Sequence, residues 1–221
     1  MLRAALLALA YFVAGRVSLL LAIPPGYATA IWPGAGIALA ALLIYGPGLW
    51  PGVAIGSMVV NLGVGADAGL PSISLEKATT AAAIGCGAAL EALVGYVLSQ
   101  GILRRDPELL KVRNIAALLI IGGPLSCLVN PTFGVGVLLV ADLIVPDEFG
   151  FSWMTWWVGD SMGVLICLPF LLLWLGPPKQ AWSRSWMFVA LPLALVLALS
   201  AAVFVFVSRQ EQRAHALEFE H

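Results

Sequence analysis

Arg16, Glu91 and Asp160 each lie within a stretch of apolar residues long enough to cross a bilayer. An ionisable group at that depth costs about 2.5–3.5 kcal/mol on insertion scales, unless it is paired or faces a wet cavity. Two chemistries fit. An arginine–aspartate pair can fix helix register, or the same groups can line a site for a polar ligand or ion. Counting back from the outer helix ends at about 1.5 Å per residue puts Arg16, Asn61 and Asp160 in one layer near the outer face. That layer predicts an Arg16–Asp160 ion pair with Asn61 within hydrogen-bonding reach, beneath an outward-facing cleft bordered by Trp32 and Trp156. Trp156 precedes Asp160 by four and Trp153 by seven, so an aromatic stripe leads toward the acid, and Thr29 shares the outer layer with Trp32. Glu91 falls about 15 residues into a helix entering from outside, which predicts a place in the inner half, away from Arg16 and Asp160. It should face the bundle between Gly87 and Gly95, four positions to either side.

Other chemistries are excluded by residue type. Neither a Ser-His-Asp set, nor HExxH, nor a phosphate loop occurs, so the segment is read as non-enzymatic. His215 and His221 both sit in the polar tail, away from any helix that could hold haem, and no cofactor or metal is implied. Cys86, Cys127 and Cys167 lack CxxC spacing and read as small buried residues. With a net charge of -1 and no basic stretch interleaved with aromatics, a nucleic-acid partner is not expected.

The elements that hold these residues follow from composition. Of 221 residues, 61% are hydrophobic and 10% charged, against about 25% charged in an ordinary soluble domain. The apolar runs are continuous blocks without two-residue alternation, so the expected fold class is all-α, a polytopic membrane helix bundle. Crossings are predicted at residues 3–22, 27–45, 49–66, 78–98, 151–175 and 186–208, with a further one within 112–145. That last stretch is long for one crossing and short for two. Pro124 and Asn130-Pro131-Thr132 divide it, which favours a single kinked or partly re-entrant crossing and a total of seven, with eight as the alternative. The basic loop from Arg104 to Arg113 should be cytoplasmic, which puts the amino terminus inside and the tail after Ser208 outside. Trp32-Pro33-Gly34 and Trp50-Pro51-Gly52 read as interfacial tryptophans with proline in a helix's first turn. Gly52-x-x-x-Gly56 and Gly159-x-x-x-Gly163 read as close helix packing.

Two blocks carry a resemblance: WMTWWVGDSMGVLICLPFLLLW at 153–174, which contains Trp156, Trp157 and Asp160, and ATAIWPGAGIALAALLIYGPGLWPGVAIGSMVVN at 28–61. Together they resemble a bacterial membrane-associated sensor domain of the first (MASE) type, over residues 1–208. The family's common Trp-Pro-Pro-Ala-Gly stands here as Trp32-Pro33-Gly34-Ala35-Gly36. The resemblance implies a multi-pass sensory input domain of the bacterial cytoplasmic membrane. Its partners would be the lipid bilayer, a small ligand or membrane state of unknown identity, cytoplasmic output domains of histidine kinase or cyclic-di-GMP type, and a second copy in a homodimer. Residues 209–221 resemble the opening of a CHASE-type extracytoplasmic sensor. A small-solute transporter or substrate-binding membrane subunit is the alternative, and a purely structural anchor a third reading.

Overall fold

Proline and glycine punctuate the chain into helices in a computed structural model that describes residues 1–23, 28–64, 74–105 and 112–176. The helices are α1 (Leu2–Ser18), α2 (Pro33–Tyr45), α3 (Trp50–Leu62), α4 (Leu75–Leu103), α5 (Val112–Ile120), α6 (Val129–Val140) and α7 (Phe149–Leu175). Pro33 and Pro51 both sit in the first turn of their helices, where a missing N–H costs nothing. Gly46 ends α2 at φ +101°, a conformation that favours glycine. At α4, Ser74 Oγ accepts from the Lys77 backbone N–H at 3.1 Å, which caps the helix. Two two-residue strands, β1 (Ala22–Ile23) and β2 (Ala28–Thr29), pair antiparallel in an otherwise all-α architecture.

Residues 112–140 form one bent helical run. Between α5 and α6 lie a π turn (Ile121–Leu125) and a 3-10 turn (Ser126–Leu128). Pro124 lacks an N–H, and Gly123 departs from helical geometry at φ -91°, ψ -109°. The carbonyl of Gly122, released by the bend, accepts from Ser126 Oγ at 2.5 Å. Residues 113–140 are thus a single apolar helix of crossing length, as are 75–103 and 146–175. The expected second crossing, 27–45, differs more: α2 starts only at Pro33, because the preceding residues run as extended backbone against α7. Residues 186–208 and the tail lie outside the described residues.

Large apolar side chains face outward, and several polar ones are buried. Leu6, Leu9, Val13 and Val17 of α1, Leu90 and Val97 of α4, and Phe151, Met154 and Phe170 of α7 are exposed. Ser57, Thr80, Glu91, Asn130 and Asp160 are buried. Apolar side chains facing outward and polar ones facing inward suit a lipid surrounding. Cys86 belongs to the exposed face, contrary to the expectation that all three cysteines are buried, while Cys127 is buried and Cys167 half-buried.

Glycine sets the closest approaches. A Cβ on Gly52 would lie 2.5 Å from the Ala4 carbonyl oxygen, and one on Gly56 2.8 Å from that of Ala8, so α1 and α3 meet backbone to backbone. The second small-residue pair does something else. Gly159 and Gly163 receive the extended segment before α2: a Cβ on Gly159 would sit 2.6 Å from Thr29 O, and one on Gly163 would overlap Trp32 O. The Trp32 N–H donates to Gly159 O at 2.8 Å, satisfying extended backbone within the bundle.

Candidate functional site

The kink in residues 112–140 frees a backbone donor that joins other helices. Asn130 and Pro131 open α6, where first-turn N–H groups have no partner within the helix. The Asn130 N–H donates to Glu91 Oε2 of α4 at 3.3 Å, and its Nδ2 donates to Asp160 Oδ2 of α7 at 3.0 Å. One asparagine therefore bridges two carboxyl groups from two other helices. All three side chains are buried, Glu91 at 5%, Asn130 at 5% and Asp160 at 3% exposure. Asn130 Oδ1 has no hydrogen-bond partner. The space beside it exists because α4 carries glycine there: a Cβ on Gly87 would be 3.2 Å from that oxygen.

Above Asp160 lies a cleft of about 450 Å³ counting its open mouth. Tyr11, Trp32 and Trp156 supply its aromatic walls, and Thr29, Ser57, Asn61, Asn130 and Asp160 its polar groups. Trp32 Nε1 donates to Tyr11 Oη at 2.9 Å, and the two rings meet edge to face with centroids 6.2 Å apart. Trp156 presses its benzo edge on Gly134, where a Cβ would be 2.5 Å from the ring. Its Nε1 is buried without an acceptor. Asn61 turns its amide to its own helix, Nδ2 donating to Ser57 O at 2.9 Å.

The expected Arg16–Asp160 pair is not formed. Arg16 is exposed, and its Nη1 donates to Gly63 O at 3.3 Å. Lys77 Nζ donates to Val64 O at 3.0 Å, so two cations meet the carbonyl end of α3, where the helix dipole is negative. A long arginine stem lets the charge leave the apolar layer for that end. Asn61 is bonded to neither expected partner. Glu91 does face the bundle, but it is joined to Asp160 through Asn130 and is not remote from it. α4 begins at Leu75, three residues earlier than the sequence suggested, and Asn130 joins Glu91 to Asp160 by offering its backbone N–H to one and its Nδ2 to the other.

Trp156 and Trp32 border the cleft, whereas Trp157 and Trp153 do not. They stack with centroids 6.1 Å apart and grip the bent helix instead. Trp157 Nε1 donates to Pro124 O at 2.8 Å and Trp153 Nε1 to Thr132 Oγ1 at 3.0 Å. The aromatic stripe toward the acid is thereby divided between two faces. Trp32 is built into the site, bonded to Tyr11, while Trp50 is 44% exposed. Sequence reasoning missed Tyr11 and Asn130. A tyrosine amid apolar residues needs a partner for its hydroxyl, and an asparagine before proline in a membrane helix marks freed backbone. Those were the available signals. Among the described residues no cluster of three His, Cys, Asp or Glu side chains could hold a metal ion.

Compared with known proteins, residues 3–212 match the MASE1 family. The likeness of residues 209–221 to a CHASE-type sensor gains no support from that match. No curated protein and no solved structure matches the chain.

Proposed function

The chain belongs to the MASE1 family, integral membrane domains that serve as sensory input in signalling proteins, and from that premise we propose that its input is read in the cleft above Asp160. The observation that carries this reading is the Asn130 bridge. A ligand that engages Asp160 competes directly with Asn130 Nδ2, and Asn130 opens the half of a helix that can pivot. The pivot is the π turn with Pro124, the kind of irregularity that recurs at functional sites, held by Trp157. Occupancy then biases two packings of the bent helix against α4, and only the differential affinity of the ligand for the two packings drives the change.

The proposed topology is seven crossings of the bacterial cytoplasmic membrane with the amino terminus inside. The single bent run at 112–140 supports it, and so does the basic loop between α4 and α5. Output passes to histidine kinase or cyclic-di-GMP domains of the full-length protein, in a homodimer, and this segment contributes no catalysis. The test is the full-length protein in its own membrane carrying Asn130→Ala or Asp160→Asn, with phosphorylated histidine or cyclic-di-GMP as readout. Both variants should lock the output at one level. Output that responds as in the wild type would remove the cleft as the input site.

A further inference from the structure

Resting on that reading of the cleft, we propose that its ligand is a small organic cation with ammonium N–H donors. The charge of the site points first to a cation. Among the described residues Asp160 is the only acidic or basic side chain on the cleft wall, and Glu91 is linked to it through Asn130. Among the described residues neither carboxyl group has an ion-pair partner. Arg16 and Lys77 are held at the cleft rim by the carbonyls of Gly63 and Val64, just after α3, Arg3 lies 5.1 Å over the Tyr45 ring at the other end of α1, and Arg104, Arg105 and Arg113 flank the loop between α4 and α5. A buried carboxyl group without a counter-charge is costly, so a cation entering the cleft relieves a cost already present, whereas an anion adds to it.

The walls then separate organic cations from metal ions. Tyr11, Trp32 and Trp156 make part of the wall aromatic, and aromatic rings attract an ammonium group electrostatically, while a metal ion needs a nearly complete shell of oxygen ligands. The unpartnered groups refine the class. Asn130 lines the cleft and is 5% exposed, and its Oδ1, which lies beside Gly87, is a buried acceptor without a donor. An N–H bearing head supplies that donor and a quaternary one does not. Trp156 Nε1 is a donor without an acceptor, which suits a ligand with an oxygen near its charged end. The ethanolammonium group has both features, and it occurs as a free amine and as the head group of an aminophospholipid.

The experiment uses the full chain in nanodiscs of phosphatidylglycerol alone, titrated calorimetrically at constant ionic strength with ethanolamine, with neutral ethylene glycol and with anionic glycolate. Ethanolamine should bind saturably and the other two should not. Choline should bind more weakly than ethanolamine, and Asp160→Asn should weaken ethanolamine at least tenfold. Where Asp160→Asn fails to fold, Asn61→Asp on the half-buried cleft wall decides, because an added carboxylate should tighten ethanolamine binding several-fold. Phosphatidylethanolamine added to the nanodiscs distinguishes the sources. A raised apparent Kd for free ethanolamine assigns the site to the lipid head group, and an unchanged one assigns it to free amines. Absence of saturable ethanolamine binding, undiminished binding by folded Asp160→Asn, no gain in Asn61→Asp, or preference for glycolate would overturn the proposal. The readout is binding, so its failure leaves the sensory role of the cleft to the output assay.

Discussion

Removing the Asn130 amide separates the observed charge network from the one its residue types suggest. Asn130→Ala deletes the 3.0 Å bond from Nδ2 to Asp160 and leaves the backbone N–H on Glu91 in place. A hydrogen bond to a carboxylate is worth about 1.5–3 kcal/mol in soluble proteins. Interhelical bonds in a membrane average about 0.6 kcal/mol and reach about 1.7, since the alternative state also finds partners. The burial of both groups puts this bond near the upper membrane figure, so a double-mutant cycle of Asn130→Ala with Asp160→Ala should give a coupling of about 1–2 kcal/mol. The matching cycle of Arg16→Ala with Asp160→Ala should give a coupling within about 0.5 kcal/mol of zero, because Arg16 engages Gly63 O. Reversible unfolding of the four variants of each cycle in mixed micelles, followed by far-UV circular dichroism, supplies both numbers. An Arg16–Asp160 coupling larger than the Asn130–Asp160 coupling would refute the network.

Three further outcomes follow from the same geometry. Gly163→Ala places a methyl on Trp32 O and should cost about 1–3 kcal/mol, whereas Gly48→Ala, with nothing within 4 Å, should stay within about 1 kcal/mol of wild type in the same unfolding assay. Trp157→Phe removes the donor to Pro124 O and should cost about 1 kcal/mol, with faster deuterium exchange confined to residues around the π turn. A reporter fused at Ala214 should be active only as a periplasmic fusion if seven crossings start from an inside amino terminus; cytoplasmic-reporter activity there would remove that topology.

The helical membrane class, the bend in 112–140 and the inward face of Glu91 were legible because each rests on a local rule: apolar run length, the missing N–H of Pro124, and small residues at i±4 around the acid. The company of Trp32 and Trp156 around Asp160 was legible for a different reason, since the depth count put all three in one layer, and they do line one cleft. Pairing partners were not legible. An arginine near a helix end has a free route to backbone carbonyls, and α3 presents its carbonyl end within reach of Arg16, so opposite charge at similar depth did not decide the contact.

Asn130 was read as part of a break, and the break is what gives it its role. A continuous helix would have used its N–H internally. The π and 3-10 turns before α6 release that N–H to Glu91, and the same residue's side chain reaches Asp160. The extended residues before α2 follow the same logic, since Trp32 keeps its backbone satisfied on Gly159 and spends its indole on Tyr11. In both places backbone irregularity at membrane depth is tolerated because a neighbouring helix completes its hydrogen bonds. The cleft opens where these two irregular segments face each other across α7, so the features that make α2 short and the 112–140 run bent are also those that bring Trp32, Asn130 and Asp160 to one wall.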